Sequence, residues 1–182
     1  MDKFVSVILQ INFITGLWIF AIAFALHEIE EWNILRWYRE NYVDLPPSTN
    51  RSIRVWIVFV ILMGFIWCAA AVLPGNPALA AAIFLPAIFI AIQNALQHVY
   101  WLFYFRKYAP GVISAVLMLI PMGVYLIARA VLLNLVPLWY VGILVLLVTP
   151  GLIETVRAGK QMTKQIRSIH CLGIKLSEWF VR

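Results

Sequence analysis

The fold is decided by the stretch that reads 78-ALAAAIFLPAIFIAIQNALQHVYWLFYF-105, which carries no charged residue. It is longer than the roughly 20 apolar residues that a membrane-spanning helix needs. Four further stretches of similar character lie at residues 4–26, 53–73, 112–133 and 138–156. Turn-forming residues such as the PGNP of residues 74–77 separate them. The sequence therefore predicts an all-α fold, a polytopic membrane bundle of about five transmembrane helices.

The composition excludes most soluble classes of protein. Of the 182 residues, 64% are hydrophobic and 12% are charged, whereas soluble domains carry about 45–50% apolar and about 25% charged residues. The net charge of +6 does not indicate a nucleic-acid-binding protein, because the basic residues are scattered between apolar stretches. Cys68 and Cys171 lie too far apart for a disulfide framework or a zinc-finger motif. The first apolar stretch is too long for a signal peptide, so we expect a retained membrane helix.

The basic residues predict how the bundle is oriented. With five crossings, twelve of the fourteen lysines and arginines fall on the side of the C-terminus, and only Lys3 and Arg129 fall on the other. Cytoplasmic loops are enriched in lysine and arginine. We therefore expect a multi-pass protein of the inner membrane, with its N-terminus outside and its C-terminus in the cytoplasm.

The chain divides into a transmembrane bundle at residues 1–157 and a basic tail at residues 158–182. Apolar residues recur in the tail at steps of three and four: Met162, Ile166, Ile169, Leu172, Leu176 and Phe180. This spacing predicts an amphipathic helix that lies on an anionic leaflet, and the alternative is a partly disordered tail. We expect His170, in this tail, to face solvent.

Aromatic residues follow the first apolar stretch and end the third. They are Trp32, Trp37, Tyr38, Tyr42, Tyr100, Trp101, Tyr104 and Tyr108. Tryptophan and tyrosine favour the headgroup level of a bilayer, because their rings are apolar and their tips are polar. We therefore expect both groups to lie at the membrane interface.

Three of the eight acidic residues are concentrated in the segment HEIEE, residues 27–31. Glu30 and Glu31 lie three and four residues after His27, so on a helix both can share its face, whereas Glu28 projects elsewhere. Adjacent negative charges repel each other. We therefore expect a metal ion, protons or a basic group from another helix to neutralise them.

Two further polar positions interrupt the apolar stretches: the segment QNALQH at residues 93–98, and Glu154. At 1.5 Å per residue, His27, His98 and Glu154 lie about 35, 30 and 24 Å along helices that run in the same direction. Ionisable residues at such depth are candidates for function. The alternative is that all three lie in interfacial water, with Glu154 paired to Arg157.

Two histidines with carboxylates form a typical zinc site, or an iron site if more oxygen ligands join. We expect His27, Glu31 and His98 to be the ligands and Glu154 a fourth ligand or a neighbour of the ligands. Glu30 would be the general base for a metal-activated water, and Asn94 would orient a ligand or the substrate.

This site predicts a metal-dependent membrane enzyme, first of all a hydrolase, that acts on a lipid or other apolar substrate near the cytoplasmic leaflet. One alternative is a proton-coupled carrier or ion pathway that uses the same residues. A second is an iron-dependent oxidase, and a third is an assembly or anchoring subunit without a reaction. We expect membrane lipid, and no nucleic acid, as a partner.

The segment from His27 to Glu31 resembles the signature of the HXXEE-domain family, small bacterial membrane proteins that are named for that motif. The stretch from Asn94 to His98, and Glu154 in a later helix, are similar to further polar positions of that family. The resemblance covers most of the hydrophobic chain and not the basic tail. It implies site residues and no particular reaction.

Overall fold

The computed structural model describes residues 11–179. Within them lie seven helices and no strand, with these bounds: α1 (Phe13–Glu30), α2 (Ile34–Asn41), α3 (Asn50–Val72), α4 (Pro77–Phe105), α5 (Val112–Leu132), α6 (Leu138–Ala158) and α7 (Lys164–Trp179). Helices α1, α3, α4, α5 and α6 are long and apolar enough to cross a membrane. The predicted all-α bundle with five membrane helices is therefore confirmed.

Helix α1 carries the HEIEE segment on its last turn. It begins after Asn12, whose side-chain oxygen accepts a hydrogen bond from the Ile14 amide at 2.9 Å and so caps the helix. Residues 4–10, where the predicted first span began, lie outside the described part of the chain. The helix continues to Glu30, one turn beyond the predicted end, so the motif has helical geometry.

The main core lies between α1, α4 and α5, where Leu17, Leu85, Leu119 and Leu126 are almost fully buried. Helices α3 and α6 expose most of their apolar side chains, as helices do when they face lipid. Helix α5 contains a π-helical turn at Ala115–Leu119, just before Pro121. Proline cannot donate the helical hydrogen bond to the preceding turn, and a π turn is one way to accommodate it.

A second core cluster is built from aromatic residues at the end of the bundle where α1 and α4 finish. Trp37, Tyr38, Tyr42 and Trp101 are each less than 9% exposed. These four rings therefore pack inside the protein, because α2 folds back beneath α4 and the tail covers both with Met162 and other apolar side chains. Other members of the two aromatic groups, Trp32, Tyr104 and Tyr108, are exposed, and the place of both groups at the headgroup level stays a prediction.

The tail forms the predicted helix, but α7 packs on α3 and buries part of its apolar stripe. The packing is close: a Cβ at Gly173 would lie 2.7 Å from the carbonyl oxygen of Ser52. Arg167 pairs with Asp44, in the segment between α2 and α3. His170 is only 1% exposed, so the expectation that it faces solvent is wrong.

Candidate metal centre

His27, Glu31 and His98 meet at the end of the bundle where α1 and α4 finish. The Glu31 Oε1 atom lies 3.1 Å from His27 Nε2 and 2.9 Å from His98 Nε2. Both imidazoles are 0% exposed and Glu31 is 7% exposed. Ligands of a tetrahedral zinc ion, bound at about 2.0–2.1 Å, lie roughly 3.3 Å apart. The two distances from Glu31 are therefore close to the spacing around a shared ion, and all three ligand atoms lie within 4.8 Å of one another.

The turn before α5 closes the site on one side. Gly111 has a φ of +95°, which favours glycine. A Cβ at this position would lie 2.9 Å from the Cε1 atoms of both His27 and His98. The two rings are nearly perpendicular, with centroids 5.0 Å apart. The bare backbone of Gly111 therefore allows this turn to pack against both imidazoles.

Ser114, at the start of α5, orients the ring of His27. Its hydroxyl lies 2.9 Å from His27 Nδ1 and donates a hydrogen bond to Glu30 Oε2 at 2.5 Å. Because its only proton points at Glu30, the hydroxyl accepts the Nδ1 proton of His27. With its proton on Nδ1, a neutral His27 carries a free lone pair on Nε2. Such an outer hydrogen bond is common for metal-binding histidines.

The free lone pair of His27 then faces two other acceptors. Asn94 Oδ1 lies 2.8 Å from His27 Nε2, and Glu31 Oε1 lies on the same nitrogen at 3.1 Å. Lone pairs this close repel each other unless a positive charge lies between them. A metal ion or a proton on His27 would supply that charge. Asn94 therefore lies beside His27, a candidate ligand, and its predicted role of orienting a ligand or the substrate stays a prediction.

Buried polar atoms without a hydrogen bond favour a metal ion, rather than a proton, as the source of that positive charge. Among the described residues, Glu31 Oε1 and both ring nitrogens of His98 are buried and make no hydrogen bond of acceptable geometry. Leaving such a group unpaired costs about 1–3 kcal/mol. Two imidazoles and a carboxylate are the protein ligands of several catalytic zinc sites. The residues present therefore fit a divalent metal, and their role as ligands stays a prediction.

Glu30 has a different place from the one expected for a general base. Its two oxygens accept hydrogen bonds from the Tyr108 hydroxyl, the Ile113 amide, and the amide and hydroxyl of Ser114, at 2.5–3.2 Å. The carboxylate thus lies at the positive N-terminus of α5. Burial and the hydrogen bond to Glu30 raise the pKa of Tyr108 to about 12, so its hydroxyl remains a donor. Glu30 holds α5 against α1 and supports His27 through Ser114.

Glu154 is not brought into the group, and its predicted place beside the histidines is wrong. Its Oε1 atom accepts a hydrogen bond from the Lys164 amide at 2.6 Å, where α6 leads into α7. The neighbouring Thr155 faces α4 instead, and its hydroxyl accepts a hydrogen bond from Gln97 at 2.9 Å. Depth along a helix does not determine which way a side chain points, because each step of one residue rotates the side-chain direction by about 100° about the helix axis.

A cavity of about 170 Å³ lies between α1, α3, α4 and α7, and one of the three candidate ligands, Glu31, lines it. Its polar wall is formed by six side chains: Glu28, Glu31, Asn94, Gln97, Gln165 and His170. Sequence reasoning missed Glu28 and His170 here. The signal for Glu28 was its i,i+3 spacing from Glu31. No pattern marked His170, Ser114 or Gly111, because distant segments bring them to the site.

A family model described as "Protein of unknown function with HXXEE motif" matches residues 18–126, which include all three candidate ligands. The chain belongs to the HXXEE family. The part of this HXXEE protein that matches also contains Gly111 and Ser114, and it ends before Glu154 and the tail. No curated protein and no solved structure matches the chain.

Proposed function

We propose that this HXXEE protein is a metal-dependent membrane enzyme, a hydrolase that acts on a lipid or other apolar substrate. One observation carries the proposal: three buried ligand atoms, from His27, Glu31 and His98, lie within 4.8 Å of one another, and Glu31 also lines a cavity. A site that served only to stabilise the fold would need no cavity beside it. Zinc fits the two imidazoles and one carboxylate best.

The residues around the ligands have separable tasks. His27, Glu31 and His98 would hold the ion, and Asn94 would direct its amide oxygen at the ion or at the substrate. Ser114 and Glu30 keep His27 in the required tautomer. When bound, a zinc ion acts as a Lewis acid that polarises a carbonyl or phosphoryl oxygen and acidifies a water molecule.

Glu28 is the carboxylate best placed to act as the general base. It lines the cavity beside Glu31 and is 8% exposed, and its carboxylate accepts no hydrogen bond from the described residues. The carboxylate of Glu30, by contrast, already accepts four hydrogen bonds from the start of α5 and from Tyr108. In hydrolysis, Glu28 would take a proton from the attacking water and return it to the leaving group, so that one water is consumed for each bond broken.

The membrane sidedness belongs to the same proposal. The end of the bundle that holds the site also carries α2, α7 and the basic residues near them, among them Arg36, Arg39 and Arg54. By the positive-inside rule this end is cytoplasmic. We therefore place the protein in the inner membrane with the site at the cytoplasmic leaflet and the N-terminus outside.

A proton-coupled carrier uses similar residues but needs a polar path through the whole bilayer. Beyond the site, the described interior of the bundle is apolar, with Leu17, Phe20, Leu85 and Ile88 almost fully buried. An enzyme site at one end of the bundle needs no such path. Iron-dependent oxidation remains the second candidate, because two histidines and one carboxylate are also the ligand set of non-haem iron oxygenases.

Isotope labelling separates hydrolysis from oxidation. The purified, zinc-loaded protein is incubated with vesicles of phosphatidylethanolamine and phosphatidylglycerol in ¹⁸O-labelled water, and the lipids are analysed by mass spectrometry. We expect cleaved lipid that carries ¹⁸O, and about a hundredfold less with Glu28→Gln, which removes only the base. Product that takes its oxygen from O₂, or undiminished cleavage by Glu28→Gln, would contradict the proposal.

A further inference from the structure

A second cavity, of about 190 Å³, lies next to the first one between α1, α3 and α4. All of its lining residues are apolar or glycine, apart from the indole nitrogen of Trp67. That nitrogen already donates a hydrogen bond to the carbonyl oxygen of Ile83 at 2.9 Å. The wall of this cavity therefore offers no free hydrogen-bonding group, and it suits a hydrocarbon.

The two cavities adjoin each other. Four residues line both of them: Phe24, Val60, Ile90 and Ala91. One end of the combined space is polar, at Glu28, and the other is apolar, at Trp67. Met63, Trp67 and Ile90 are between 38% and 49% exposed, so the apolar end opens towards the lipid that surrounds the bundle.

The length of the two cavities together corresponds to one leaflet. Along α1, Phe20 lies eight residues before Glu28, and along α4, Phe84 lies ten residues before Asn94. At 1.5 Å per residue these separations are about 12 and 15 Å. Half of a hydrocarbon core that is about 30 Å thick is about 15 Å, which is the depth that one acyl chain occupies.

We infer that the substrate is an amphiphile whose acyl chain lies in the groove between Phe24 and Trp67, while the bond to be cleaved lies beside Glu28 and Glu31. This inference rests on the function proposed above and names the class of its substrate. One acyl chain of the substrate enters the groove, and in a lipid with two chains the other stays in the bilayer. Entry is lateral, from the membrane, past Met63 and Ile90.

Gly64 keeps the groove open where it approaches the polar end. It lines the apolar cavity, and a Cβ at this position would lie 3.2 Å from the ring of Phe24. A leucine side chain here would extend into the groove. Ala87, on α4, lines the same cavity, so Ala87→Phe closes it from the opposite wall. Gly142, on α6, provides a matched control, because a Cβ there meets nothing within 4 Å.

Photo-crosslinking tests the inference. The purified full-length protein, in detergent, is labelled with palmitic acid that carries a diazirine at mid-chain, and the modified peptides are identified by mass spectrometry. We expect labels on α1 near Phe20 and on α3 near Met63. Gly64→Leu and Ala87→Phe should each weaken this labelling about tenfold, or by about 1.4 kcal/mol, whereas Gly142→Leu should not change it.

Labels spread over the outer faces of α3 and α6, or labelling that both blocking variants leave unchanged, would overturn the inference. Metal content, measured on the same samples, separates this result from the proposed function. Gly64→Leu should keep the metal of the wild-type protein, because the groove is apart from the ligands. A wild-type protein without metal that still labels in the groove would refute the metal-dependent function and support the acyl site.

Discussion

At the scale of single residues, three glutamates within one turn of α1 meet three different environments. Glu31 faces the two imidazoles, Glu30 accepts four hydrogen bonds at the start of α5, and Glu28 lines the cavity. The steps of about 100° between successive residues send neighbouring side chains in different directions. Adjacent glutamates are therefore not interchangeable here, and a change at each should have its own consequence.

Gly111 gives the sharpest prediction at this scale. In Gly111→Ala, the added methyl group would meet both imidazole rings at 2.9 Å, and the rings would have to move. We expect the variant to lose most of its bound metal, which is measured by inductively coupled plasma mass spectrometry. The backbone strain of a positive φ adds about 1–3 kcal/mol of destabilisation.

Gly75→Ala is the matched control for that strain. Gly75 also has a positive φ, of +69°, but a Cβ there meets nothing within 4 Å. The variant Gly75→Ala should therefore lower the thermal stability in detergent and leave the metal content unchanged. Equal metal content in the two variants would show that Gly111 does not support the histidines.

The side chains whose convergence the sequence predicted are His27, Glu31 and His98. They belong to long helical segments with a clear apolar pattern. His27 and His98 lie at similar depths on helices that run in the same direction, and the i,i+4 step put Glu31 on the face of His27. Glu154 has the right depth and the wrong direction. The convergence of Gly111 and Ser114 depends on how α5 packs, which neither periodicity nor spacing reports.

At the scale of helices, α7 is the element whose environment differs most from its sequence pattern. Its basic and apolar residues predict a surface helix, yet His170 inserts beneath it towards Tyr38 and Ser48. His170 Nδ1 lies 2.7 Å from the Ser48 hydroxyl. Amphipathicity shows which face of a helix is apolar, but not whether lipid or protein covers that face.

The docking of α7 should weaken at acidic pH. Burial lowers the pKa of His170 from 6.5 to about 4, so the docked state favours the neutral imidazole. The stabilisation is complete above the pKa of 6.5 expected for an undocked histidine, and it is lost as the pH falls from there towards 4. Hydrogen exchange of the α7 amides, corrected for intrinsic rates, should be faster at pH 5 than at pH 7.

The variant His170→Gln isolates the cause of that pH dependence. Glutamine can still exchange a hydrogen bond with Ser48, but it does not titrate. Glu28 and Glu31 line the same cavity as His170 and remain in the variant. If exchange in α7 kept the wild-type pH dependence in His170→Gln, the histidine would not be responsible for it.

At the scale of the whole molecule, polar chemistry is confined to one end of an apolar bundle. Within the described residues, the three candidate ligands form one group of histidine and acidic side chains that could hold a metal ion. The cavity lined by Glu31 adjoins an apolar groove, in which Met63 and Ile90 are exposed on the outside of the bundle. This arrangement suits a reaction on a membrane molecule that enters sideways, and the five membrane helices provide its frame.

The metal content of the purified protein tests the central claim most directly. After loading with zinc and removal of excess metal, we expect about one zinc ion per wild-type chain, held by His27, Glu31 and His98. His27→Ala, His98→Ala and Glu31→Gln should each lose it. Glu154→Gln, a matched change of a carboxylate that bonds to the Lys164 amide, should keep it. A wild-type protein that retains no metal, or three ligand variants that retain it in full, would contradict the account.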